Sequence, residues 1–284
     1  MISREEKKKL KLAGADIRKG IMTSTYYAHS GHPGGSLSAA DILAYLYFHE
    51  MHIDPASPQD PDRDRFVLSK GHAAPALYSA LAYKGYFPKE DLTTLRHIDS
   101  HLQGHPNMNL TPGVDMCTGS LGQGLSAAAG MAKGAKMTGR DFRVFALCGD
   151  GEMTEGIIWE AVLFAAHYKL DNLCILVDVN GLQIDGRTKD VMNTDPLDQK
   201  FEAFGCRVIS RNGHELEDID EAFEFFRKGQ GSGKPCVLLF STVKGKGVAY
   251  MENEAGWHGK APNDIQYKIA MMELEAHRAA LEVI

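Results

Sequence analysis

Cysteine is scarce and scattered in this chain. The five residues, Cys117, Cys148, Cys174, Cys206 and Cys236, are odd in number and form no C-x-x-C pair. That excludes a disulfide framework and a thiolate zinc site, and it predicts a reducing, cytoplasmic setting. No uninterrupted apolar run approaches membrane-spanning length, and the opening MISREEKKKLKLAGADIRKG lacks the apolar centre of a secretory signal. Neither a membrane anchor nor export is expected. A dominant charge is missing as well: 31 Lys and Arg stand against 37 Asp and Glu, a net charge of -6 in mixed blocks. Such a balance gives no general attraction to nucleic acid or an anionic membrane, so any phosphate recognition must be local.

Core material is abundant. A chain of 284 residues that is 44% hydrophobic suits one α/β domain spanning 1–284, with an N-terminal helical segment and a C-terminal helix. The spacing of Leu10, Ala13, Ile17, Ile21 and Ser24 predicts a helix over 4–28, followed by a loop at Ser30-Gly31-His32-Pro33-Gly34-Gly35. Ser38 and Asp41 are expected to begin a second helix running from Ile42 to Phe48. Beyond these, apolar strand candidates alternate with helices. The strands are the run at Phe66, Val144 to Cys148, Leu173 to Val179, Arg207 to Ser210 and Cys236 to Val243. The helices are Leu125 to Ala135, a segment placing Ile158, Val162, Phe164 and Ala165 on a sheet, Leu216 to Phe226, and 264–284. This alternation predicts a doubly wound, mainly parallel sheet flanked by helices.

The stretch from Cys148 to Gly186 organises the rest. A strand ends at Gly149-Asp150-Gly151, a helix follows, and a second strand ends before Asn180. Right-handed crossover returns the chain to the same sheet edge, so Asp150 and Asn180 are expected to converge. A hard divalent cation wants oxygen ligands and retains waters and phosphate oxygens, so one carboxylate, one amide and a backbone carbonyl, that of Leu182, suffice from the protein. Gly151 leaves backbone free to approach a diphosphate at the start of the following helix.

Four histidines share a glycine or proline context: His32 in the first loop, His72 in Ser69-Lys70-Gly71-His72, His105 in Gln103-Gly104-His105-Pro106, and His258 in Trp257-His258-Gly259. Loops of that kind hold an imidazole at an edge, where it can move protons near neutral pH. His29, His49, His52, His97, His101, His167, His214 and His277 lack a shared pattern and read as structural. Thr118-Gly119-Ser120-Leu121-Gly122-Gln123-Gly124 introduces the small-residue helix. The loop Lys244 to Gly247 either approaches a phosphate or is solvated.

GDG followed about thirty residues later by Asn and GLQIDG resembles the thiamine diphosphate motif of transketolases. The SGHPG, LSKGH, GHP and WHG-x-x-P elements match that family in order, and TGSLGQG resembles its GPLGQG element with Ser120 in place of proline. The first Asn of the family's frequent Asn pair is Val179 here. The resemblance implies the thiamine diphosphate-binding fold of the diphosphate-binding module, without the pyrimidine-binding and C-terminal transketolase domains. It implies Asp150, Asn180 and the Leu182 carbonyl as ligands of Mg2+ or Ca2+. Gly151, His72 and His258 would hold the diphosphate, with Gly119, Ser120 and Leu121 beside the cofactor rings. His32 and His258 would face the donor's reacting hydroxyl and His105 its C1 hydroxyl.

Glu155 matches a glutamate that links the two active sites across the family's subunit interface, and otherwise reads as a surface helix charge. By the resemblance, the chain is the N-terminal subunit of a split transketolase. It would pair with a separate C-terminal subunit in an α2β2 assembly, expose an apolar face to that partner, and act on sugar phosphates. The alternatives are a deoxyxylulose-phosphate synthase, the α subunit of a 2-oxo acid dehydrogenase, or a non-catalytic thiamine-diphosphate-binding regulatory subunit.

Overall fold

A computed structural model describes residues 2–283. Helix α1 (Arg4–Tyr27) begins at Ser3, whose hydroxyl accepts from the Glu6 amide, and buries Leu10, Ile17 and Ile21. The next helix starts earlier than the sequence suggests. Pro33 stands in the first turn of α2 (Pro33–Leu37), and α3 (Ala40–Tyr45) follows after a short break and runs into a π-helical turn at Leu46–Glu50. The Gly34-Gly35 pair reads as a breaker, yet proline's fixed φ favours helix initiation at that position. His32 is thus the residue immediately before α2, held between two helices as expected.

Strand β1 (Arg65–Leu68) and α4 (Ala74–Lys84) lead to α5 (Gln123–Thr138), β2 (Val144–Gly149), α6 (Gly156–His167) and β3 (Leu173–Val179). Two short helices, α7 (Thr188–Val191) and α8 (Leu197–Ala203), precede β4 (Arg207–Asn212), α9 (Leu216–Lys228), β5 (Cys236–Ser241) and α10 (Asp264–Val283). All four strand pairings are parallel, in the order β1-β2-β3-β5-β4. Strands buried on both faces read as continuous apolar runs, which makes them visible in sequence. β4 runs two residues past Ser210 and β5 stops two short of Val243, because pairing ends at Asn212↔Ser241.

Alternation along the strands separates two cores. Phe145 and Leu147 of β2 face the cluster containing α1, α3, α4 and α9, whereas Val144, Ala146 and Cys148 face the cluster containing α5, α6 and α8. Ile158, Val162 and Ala165 bury fully against the second layer, but Phe164 is 38% exposed. One position further round a helix points 100° away, and Phe164 lies on the outer face with Leu163 and, just past the helix, Tyr168. With helices on both faces, the carboxyl ends of β2, β3 and β5 are left as the open edge where ligands gather in such sheets.

Candidate functional site

β2 and β3 pair from Val144↔Leu173 to Gly149↔Asp178, so Asp150 and Asn180 leave the same sheet edge side by side. Asp150 Oδ1 accepts from the Gly151 amide at 2.8 Å and Oδ2 from the Gly181 amide at 2.7 Å. The Asn180 carboxamide oxygen accepts from the Leu182 amide at 3.2 Å. These oxygens line one cavity of about 380 Å³ together with Leu182, Gly151, Gly119, Leu121, His32, His72 and His258. Burial first, and the neighbouring Asp178 charge second, push the Asp150 carboxyl up to about 6. A cation beside Asp150 would reverse that penalty. Among the described residues no three acidic, histidine or cysteine side chains are grouped to hold a metal. What Asp150 and Asn180 present together is one carboxylate and one neutral amide oxygen, a pair that would suit a hard cation keeping phosphate and water ligands.

Three of the four singled-out histidines form a triangle. Ring centroids are 5.3 Å apart for His32 and His72, 5.4 Å for His32 and His258, and 4.9 Å for His72 and His258. Burial first, then the charges of Arg96, His105 and Lys244, lower His32 to about 4; burial and Lys244 lower His258 to about 3. All three histidines are pushed toward the neutral form, His72 by burial and then Lys70. His32 Nδ1 is buried without a hydrogen-bond partner. An imidazole in that state is a base or acceptor waiting for a donor.

His105 stands apart at the rim, exposed, with its ring against Gly119. A Cβ at Gly119 would come within 3.1 Å of that ring, and the residue's φ of +154° favours glycine in any case. Ser120 is exposed beside it. The missing Cβ of Gly151 makes room for Gln183, whose Cγ would lie 2.8 Å from it.

Glu155 is exposed, ahead of α6, and the cavity contains Glu152 instead. Glu152 is buried and accepts from Ser69 Oγ at 2.5 Å, the Gly122 amide at 2.7 Å and the Gly149 amide at 3.0 Å. It ties the ends of β1 and β2 to the start of α5. In Glu152→Gln the amide nitrogen must face one of these donors, so a loss of about 1–3 kcal/mol is expected in urea unfolding.

Sequence reasoning missed the buried charge network behind the cavity, to which Lys70 and Lys244 connect from the lining. Asp178, fully buried in β3, accepts from Lys70, from Ser38 Oγ at 2.6 Å, from Thr242 and from Asn180 Nδ2 at 3.2 Å. Burial alone would raise its pKa; the Lys70 charge and these hydrogen bonds outweigh that and lower it. A carboxylate inside the run Leu173 to Val179 was the available signal. Lys244 is not in a solvated loop: it is 1% exposed, and Nζ donates to His258 Nδ1 at 2.9 Å. Burial, followed by Lys70, brings Lys244 down to about 8. His214, structural by its sequence context, bridges Asp41 at 2.8 Å and the Val243 amide at 2.8 Å, fixing the turn that delivers Lys244.

Fold and cavity define a class: a parallel α/β module whose sheet edge joins a group of oxygen donors, Asp150 and Asn180, to a histidine cluster. The chain belongs to the transketolase family, since residues 11–277 match the model for the transketolase thiamine diphosphate binding domain. A 6-deoxy-6-sulfo-D-fructose transketolase subunit of Clostridium sp. (strain MSTE9) is 47% identical over 93% of this chain and 95% of its own length. An apulose-4-phosphate transketolase subunit of Actinobacillus succinogenes is 43% identical, with the same two coverages of 93% and 95%. Transketolase from Campylobacter jejuni superposes with a TM-score of 0.86 at 33% identity, covering 96% of this chain and 45% of that one. The chain thus spans less than half the length of that solved transketolase. No helix among the described residues is long and apolar enough to cross a membrane.

Proposed function

We propose that this chain is the N-terminal subunit of a split transketolase, in which a separate C-terminal subunit brings the pyrimidine-binding and C-terminal domains and two copies of each chain assemble. The single observation that carries the reading is the shared cavity: Asp150, Asn180 and Leu182 line the same space as His32, His72 and His258. Metal and diphosphate binding alone would not call for a buried, unpartnered His32 Nδ1. Relatives matched over 95% of their length are named as subunits, which supports the division between two chains. So do Met137, Leu163, Phe164 and Tyr168, apolar residues left exposed on and beside α5 and α6.

Thiamine diphosphate, when bound, supplies the electron sink that lets the C2–C3 bond of a ketose break. The chain's residues do the rest on this side. Asp150, Asn180 and the Leu182 carbonyl hold Mg2+ or Ca2+. Gly151, His72 and His258 hold the diphosphate, and Gly119, Ser120 and Leu121 lie along the rings. Neutral His32 and His258 accept and return the proton of the donor's reacting hydroxyl, and His105 at the rim holds the C1 hydroxyl. Glu155 faces the partner, where it links the paired sites. The donor is a ketose and the acceptor an aldose, each with an anionic end. Phosphate is the default, and the sulfonated sugar in one relative's name marks the breadth of that class.

Two-carbon transfer from xylulose 5-phosphate to ribose 5-phosphate, with thiamine diphosphate and magnesium, tests this with the chain alone and mixed with its C-terminal subunit. Turnover in the mixture and none by either chain alone is expected. Turnover by the chain alone, or a well-assembled mixture that binds cofactor and transfers nothing from phosphorylated or sulfonated ketoses, would overturn it.

A further inference from the structure

One cation between the loops that carry His32 and His105 has no part in the roles above. Arg96 lies in the irregular segment after α4, at a left-handed φ of +62°. A left-handed backbone at a non-glycine residue is held by its surroundings. Its amide donates to the Leu102 carbonyl at 2.9 Å. Its guanidinium does two further things: Nη1 donates to Ser30 Oγ at 3.0 Å, and its flat face lies against Gly104, where an added Cβ would sit 3.1 Å from Cζ and Nε and 3.2 Å from Nη2. Ser30 is two residues before His32, and Gly104 immediately precedes His105. Leu95, buried beside it, approaches Gly31 from the same side.

We propose that Arg96 is a positioning residue that straps the His32 loop to the His105 loop and so sets the distance between the two histidines that meet the donor sugar. This rests on the reading of His32 and His105 given above. The strap needs a planar group that donates from its edge to Ser30 while its face packs on Gly104, which lysine lacks. Arg96 is also the charge that follows burial in lowering both His32 and His105. The other titratable groups facing His32 are His72, His105, Lys244 and His258. His105 faces His32, and Tyr78 donates to its carbonyl at 3.0 Å. None of these is an acid that would offset the guanidinium, although solvent at the rim screens it.

The experiment uses Arg96→Met and Arg96→Lys, in the chain and in the assembled enzyme. Histidine signals followed by NMR in the chain need no turnover, so they test the inference even if the assembly proves inactive as a transketolase. In Arg96→Met the His32 and His105 titrations are expected to move up by roughly half a pH unit, and in Arg96→Lys to stay put. In the assembled enzyme kcat should fall about tenfold in both variants, with the acid limb of kcat/KM moving to higher pH only in Arg96→Met. Unmoved histidine titrations together with parental kcat in Arg96→Met would overturn the proposal. So would a loss of activity in both variants that simply tracks a lowered melting temperature, with no change in either histidine.

Discussion

Asp150→Asn is expected to weaken magnesium-dependent thiamine diphosphate binding by ~100-fold or more while leaving the unliganded chain about as stable as the parent. The binding loss follows from removing the only carboxylate among the proposed ligands; perturbing groups behind a metal ligand already costs 10–100-fold. The stability result follows from two opposed effects. Asp150 is 3% exposed, and its carboxyl is pushed from 3.8 up to about 6. A raised carboxyl penalises the folded state: the penalty is absent below the ordinary value, grows through about 6 and is complete at pH 7, where it amounts to about 3 kcal/mol. A neutral carboxamide at this position would escape it. Against that, the amide nitrogen must face the Gly151 or Gly181 amide, which costs about 1–3 kcal/mol. Calorimetric titration and urea unfolding at pH 7 read the two quantities separately. Parental cofactor affinity would remove Asp150 from the site.

Lys70→Met is expected to destabilise the chain by about 3–5 kcal/mol, the largest stability effect of any substitution considered. Lys70 is 1% exposed and Asp178 is fully buried, and Lys70 Nζ also donates to the Gly35 carbonyl at 2.7 Å. Methionine fills most of the volume but leaves a buried carboxylate without its countercharge. Ser38, Thr242 and Asn180 still donate to Asp178, so the fold survives as a weakened state. The double variant Lys70→Met/Asp178→Asn should recover much of the loss, since the uncompensated charge is then gone. Urea midpoints of the two single variants and the double variant measure the coupling. A single-variant loss below about 1 kcal/mol would contradict it.

The elements most readable from sequence were those governed by local pattern. β2, α6 and β3 were visible because fully buried parallel strands are continuous apolar runs, and the right-handed crossover then brought Asp150 and Asn180 to one edge. His32, His72 and His258 were visible because each sits beside glycine at an element's end. Long-range partners were hidden. Asp178 looks like one polar residue in an apolar strand until Lys70, 108 positions earlier, is placed against it.

Glu152 and Glu155 are three apart in GEMTEG, and the tight turn at Gly151–Thr154 decides which of them turns inward; periodicity is silent on so short a turn. The start of α2 at Pro33 was obscured by two glycines that act as packing residues rather than breakers. A Cβ on Gly34 would lie 2.8 Å from the Trp257 carbonyl, so the helix needs glycine there to approach the His258 loop. The loop Lys244 to Gly247 reads equally as phosphate-approaching or solvated, because nothing local records that His214 and Gly34 fold it inward.

The most direct test of the account is the position of the metal. Crystals of the assembled enzyme grown with thiamine diphosphate and Mn2+ in place of magnesium would report it through anomalous scattering. A single peak among the Asp150 carboxylate, the Asn180 carboxamide oxygen and the Leu182 carbonyl, with the diphosphate over Gly151 and His72, is the predicted result. Cofactor bound with no metal at Asp150, or a metal seated elsewhere on the chain, would contradict it.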